Sequence, residues 1–171
     1  MALFGALRFN VAGCLAASVL VTAAACKAVV APDDYALQIG GETFLLEVAA
    51  DGHSRYLGLS GRESIAPNGG MIFVYPYAAV RYFVMRDCLI PIDIIFLDSA
   101  GSIINTYTMQ PDKPRADDES SNAYQQRLTR YYAKAPSQYV IELRAGTIDR
   151  LGLAQGERVT LDTRWLQNTL R

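Results

Sequence analysis

Residues 92–109 read IDIIFLDSAGSIINTYTM. Two runs of β-branched and aromatic side chains, Ile92 to Leu97 and Ile103 to Met109, flank the turn Asp98-Ser99-Ala100-Gly101. That arrangement predicts a β-hairpin. Toward the N-terminus, Arg81 to Met85 and Met71 to Tyr75 read as strands of the buried kind, the latter after the dense turn signal Pro67-Asn68-Gly69-Gly70. Tyr35 to Ile39 and Glu42 to Val48, joined by Gly40-Gly41, predict another hairpin. Residues 51–58 suit one or two helical turns capped by Asp51 or Ser54. Toward the C-terminus, Tyr139 to Leu143 returns to strand and Thr147 can cap a short helix over Ile148 to Leu153. Arg158 to Leu161 reads as a final strand, and WLQNTLR as a half-turn of helix or a frayed tail. Short strands punctuated by turns predict an α+β, β-dominated class: a small barrel- or sandwich-like antiparallel sheet with a few short helices.

The remaining segments set the organisation. Residues 111–137 are rich in Asp, Ser, Gln, Arg and Pro and read as an exposed insertion with a helix around Ala123 to Tyr132. Residues 35–171 then form a single β-rich domain, large enough to bury a core without staples. Residues 1–25, MALFGALRFNVAGCLAASVLVTAAA, read as a signal peptide. Arg8 precedes an uncharged run from Val11 to Ala25 of about 15 residues, shorter than the ~20 a spanning helix needs. The run ends in Ala23-Ala24-Ala25, the small side chains that signal peptidases require. Cys26 follows at once, which predicts lipidation there, a tether over 26–34, and a periplasmic protein anchored to a membrane. A soluble periplasmic form without lipid is the alternative.

Charge narrows the partners. The chain has 16 Lys/Arg and 17 Asp/Glu, and only Arg8 of these falls in the leader. That balance predicts no nucleic-acid partner, which would need a basic stripe. One histidine, His53, rules out a metal site built on several imidazoles, so neither a metal nor a cofactor is expected. With Cys26 lipidated, Cys88 reads as a small buried hydrophobe. No phosphate-cradling glycine loop and no G-x-S-x-G appear.

The unusual stretch is RYFVMRDCLIPIDIIF, residues 81–96, where Arg86, Asp87 and Asp93 interrupt apolar residues. A lone buried carboxylate is costly, so Asp93 needs a partner. Arg55 and Arg62 flank Gly58-Leu59 and can converge with Asp87 and Asp93. Guanidinium groups make planar two-pronged contacts with carboxylates or phosphates.

At these residues the chain resembles domain of unknown function 192, an uncharacterised bacterial and archaeal family. The resemblance rests on Arg55, Gly58-Leu59-Ser60 and Arg62; Gly70-Met71-Ile72-Phe73; Phe83-Val84-Met85-Arg86-Asp87; Ile90-Pro91-Ile92-Asp93-Ile94-Ile95-Phe96; and Tyr139-Val140-Ile141-Glu142-Leu143 with Ala145-Gly146 and Gly156-Glu157. It implies a compact β-dominated fold, frequent export and no established reaction. Ser60 stands where the family has Met, Val84 where it has Trp, and Asp87 where it has Asn. These exchanges imply a smaller, more acidic pocket.

Three functional readings follow. The first is a non-catalytic envelope domain that binds a small molecule, glycan or protein partner through Arg55, Arg62, Met85, Arg86, Asp87 and Asp93. The second is a hydrolase whose paired carboxylates, Asp87 and Asp93, share acid and base roles. The third is a structural or assembly protein in which the Arg/Asp cluster is an internal brace.

Overall fold

A computed structural model describes residues 34–171. Cys26, the leader and most of the tether lie outside the described residues. The chain forms β1 (Asp34–Ile39), β2 (Glu42–Ala49), α1 (Gly52–Leu57), β3 (Gly69–Ala79), β4 (Tyr82–Phe83), β5 (Ile92–Leu97), β6 (Ile103–Met109), α2 (Ser121–Arg127), β7 (Tyr131–Tyr132), β8 (Ser137–Arg144), α3 (Thr147–Leu151) and α4 (Thr163–Asn168). Six strands make one sheet in the order β1-β2-β3-β8-β5-β6, and β4 pairs with β7 beside it. The sheet is open among the described residues, so the fold is the sandwich-like α+β alternative rather than a closed barrel. One pairing departs from the antiparallel expectation. β2 and β3 run parallel, because α1 and the loop after it carry the chain across before it re-enters the sheet.

The central strands are apolar on both sides because both faces are covered. Along β5, Ile95 and Leu97 pack on one face with Ile72, Ile141, Ile148, Val159 and Leu166. Ile92, Ile94 and Phe96 pack on the other with Leu59, Met71, Phe73, Met85 and Val140. α3, α4 and the C-terminal segment thus cover one face. The segment after α1, with Leu59 and Ile65, the 84–91 loop and the 131–133 segment cover the other. Burying each such side chain contributes roughly 1.5–3 kcal/mol. Gly70 permits the tight β3–β8 pairing: a Cβ there would lie 2.3 Å from the Glu142 carbonyl oxygen.

Several sequence expectations change in detail. Only Tyr82–Phe83 of the run 81–85 is strand; Met85 is instead buried at 1% exposure in the second core. Arg158 to Leu161 is not a strand. It makes one bridge, Arg158 to Ser102, with Val159 N–H donating to the Gly101 carbonyl. The tail forms a full helix, α4, capped by Asp162. Within 111–137 the helix is shorter than expected, and Tyr124, Leu128 and Ala133 are buried. That segment is therefore a strap held against the sheet, with apolar anchors spaced among polar residues.

Candidate functional site

The expected convergence of Arg55, Arg62, Asp87 and Asp93 does not form. Asp93 is fully buried and both carboxylate oxygens are used. One accepts from the Thr108 hydroxyl at 2.7 Å, the other from the Ile148 backbone N–H at 2.8 Å. Alternation along β5 puts Asp93 on the face that packs α3. There it caps the first turn of that helix, the role the sequence suggested for Thr147. The Thr147 hydroxyl instead donates to the Arg144 carbonyl at 2.6 Å. Arg62 makes a two-pronged ion pair with Glu47, both contacts 2.6 Å.

Asp87 sits elsewhere. Its backbone is left-handed, at φ 53°. Its N–H donates to the Tyr124 hydroxyl at 3.0 Å, and that hydroxyl donates back to the Asp87 carboxylate, also at 3.0 Å. Asp87 thereby ties the 84–91 loop to α2. The two aspartates share no partner, so the geometry of a carboxylate pair is absent.

Arg55 and Arg86 do meet, at a different place. Together with Arg130 they line a cleft of about 430 Å³ beside α1 and α2, whose floor includes Tyr75, Cys88 and Glu142. Arg55, Tyr56 and Leu57 of α1 form one wall; Asp51 caps that helix, accepting from the Ser54 N–H and hydroxyl and from the His53 N–H, and these bonds pull its pKa down to about 2. α1 ends at Gly58, whose φ of 52° and ψ of −133° suit only glycine. The Arg55 guanidinium donates to the Val74 carbonyl at 3.0 Å and faces the Tyr75 ring at 5.1 Å. Arg86 donates to the Tyr56 carbonyl at 2.5 Å and to Gln125 at 3.3 Å, and stacks 3.7 Å from the Tyr56 ring. Arg130 faces the Tyr82 ring at 5.6 Å. None of the three pairs with a carboxylate; the ion pairs among the described residues use Arg62, Arg127 and Arg150.

Two further groups define the chemistry. Burial pushes the Glu142 carboxyl up to about 8, so it is largely protonated at neutral pH. Burial, with Glu142 nearby, pushes the Cys88 thiol up to about 11, which removes it as a nucleophile. Sequence reasoning missed Glu142, Tyr75 and Arg130 as site residues. The signal for Glu142 was present: one acid inside the apolar run YVIEL. Of the three departures from the family pattern, Ser60 and Val84 line this cleft. Both are smaller side chains than the family's Met and Trp. Among the described residues no group of three His, Cys, Asp or Glu side chains could hold a metal ion.

The architecture and cleft define a mixed-sheet α+β domain with an arginine-lined depression on one face. The chain belongs to the DUF192 family, described as "Uncharacterized ACR", which matches residues 35–161. Two crystal structures share the fold. One is from Sinorhizobium meliloti and is described as a candidate transcription regulator. It is 28% identical at a TM-score of 0.56, over 72% of this chain and 88% of that one. The other is a protein of unknown function from Novosphingobium aromaticivorans, 24% identical at a TM-score of 0.60, over 82% of this chain and 97% of that one. None of the curated proteins compared with the sequence matches it.

Proposed function

We propose that the protein is an exported envelope domain that binds, without catalysis, a small organic anion in the cleft of Arg55, Arg86 and Arg130. One observation carries this reading: three guanidinium groups line one cleft and none has a carboxylate partner. Guanidinium groups of this kind bind carboxylates and phosphates with charge-assisted, two-pronged hydrogen bonds. The cleft volume falls in the range of small-molecule sites. The absence of catalysis rests on the inert Cys88 thiol and the separated aspartates. The 16 Lys/Arg set against 17 Asp/Glu give this chain no nucleic-acid footprint, so the description of the Sinorhizobium protein as a transcription regulator is not carried over.

Calorimetry with a panel of small carboxylates and with inorganic phosphate tests this. Binding of at least one, weakened about ten-fold or more by Arg86→Ala, is the expected result. No binding of any panel member at millimolar concentration sinks the reading. Export rests on the leader, and lipid anchoring on Cys26 after Ala23-Ala24-Ala25. The mass of the mature N-terminus in a bacterial host checks both: a diacylglyceryl-modified Cys26 is expected, and an intact Met1 refutes cleavage.

A further inference from the structure

The arginines leave Glu142 unexplained. It lies on β8 in the middle of the sheet, at 5% exposure, and lines the cleft. Met71 and Ile94 flank it in register on β3 and β5. A Cβ built at Gly58 would lie 3.8 Å from its Oε2, so the Gly58 backbone passes close to the carboxyl. No hydrogen bond or ion pair to its carboxyl is found among the described residues, and burial alone raises its pKa. A buried acid without a partner costs free energy in either protonation state.

The charged and titratable groups that line the cleft with it are Arg55 and Tyr56 from α1, Tyr75 from β3, Tyr82 from β4, Arg86 and Cys88 from the 84–91 loop, and Arg130 ahead of β7. A purely anionic ligand satisfies these arginines but offers Glu142 no cation, so its carboxyl stays protonated and without a charge partner. A purely cationic ligand pairs with Glu142 and meets three guanidinium groups. A compound carrying both charges a few bonds apart resolves both problems.

We propose that the ligand is a zwitterion of the amino-acid class, its carboxylate held by Arg55, Arg86 and Arg130 and its ammonium by Glu142. This rests on the reading of the cleft as an anion site and adds the second recognition element. It also fixes a proton. Glu142 is largely protonated at neutral pH in the free protein, whereas an ammonium partner favours the carboxylate. Binding at neutral pH therefore expels a proton, and affinity rises as the medium becomes more basic toward the Glu142 pKa.

The test is titration calorimetry on the purified protein with free L-amino acids. Each is paired with the 2-hydroxy acid bearing the same side chain, at pH 7 in buffers of different ionisation enthalpy. At least one amino acid should bind about ten-fold or more tightly than its hydroxy acid, with net proton release. Glu142→Gln should remove that preference and the proton release. The proton count on the unaltered protein decides the matter even where the variant fails to fold. A hydroxy acid that binds equally well, or proton uptake on amino-acid binding, overturns the zwitterion and leaves the anion site standing. No binding of either member of any pair overturns both.

Discussion

Two side chains on the cleft face carry unusual local demands. Asp87 holds a left-handed backbone that side chains other than Asn, Asp and Gly resist. Asp87→Asn keeps both the conformation and an acceptor for the Tyr124 hydroxyl. Thermal unfolding should find it within about 0.5 kcal/mol of wild type, whereas Asp87→Val should cost about 1–3 kcal/mol. The family's Asn at this position thus has a backbone reason. That the position needed φ above zero was invisible in the sequence, because no glycine marked it. Glu142 makes a different prediction. Folding raises its pKa from the ordinary 4.5 to about 8. Its contribution to stability is therefore fully present below pH 4.5 and is lost as pH rises to 8, by up to about 5 kcal/mol if no water relieves the burial. Glu142→Gln should flatten that slope. Chemical denaturation at pH 5, 7 and 9 checks it: equal slopes for the two proteins refute the raised pKa.

At the scale of elements, Asp93 joins three of them. It lies on β5, accepts from Thr108 on β6, and caps α3 through Ile148, which is 55 positions away in the chain. Asp93→Ala leaves the Ile148 N–H buried without an acceptor, at about 1–3 kcal/mol, while the hydroxyl of the exposed Thr108 can turn to water. A loss of about 1–3 kcal/mol in denaturant unfolding is expected, with ligand affinity unchanged because Asp93 is on the far face from the cleft. Asp93 is thus a brace, one of the readings open from the sequence. The sequence made it conspicuous as an acid in an apolar strand. Its partner was not legible, since a cap donated across the sheet leaves no local spacing to read. The hairpins β1–β2 and β5–β6 were legible for the opposite reason: turn and alternation lie within a few residues of each other. The cleft was half legible. Arg55 and Arg86 were singled out, but Arg130 and Glu142 reach the same place from distant segments. Arg62, equally prominent in the sequence, spends its charge on Glu47.

For the whole molecule the decisive feature is the position of β8 between β3 and β5. β3 and β5 never pair with each other, so β8 alone joins β1-β2-β3 to β5-β6. A chain ending before Ser137 should populate no cooperative folded state, as circular dichroism during thermal unfolding would register; a sigmoidal transition from such a fragment contradicts the strand order. The same arrangement has a consequence in time. Synthesis supplies β1 to β6 well before β8, and during that interval two half-sheets each present an unsatisfied edge. The ribosome must release nearly the whole domain before a protected core exists. A chain built this way stays pliable until its last quarter emerges. Until then each open edge can pair with a foreign strand, so the order of synthesis sets when the chain is most prone to aggregate.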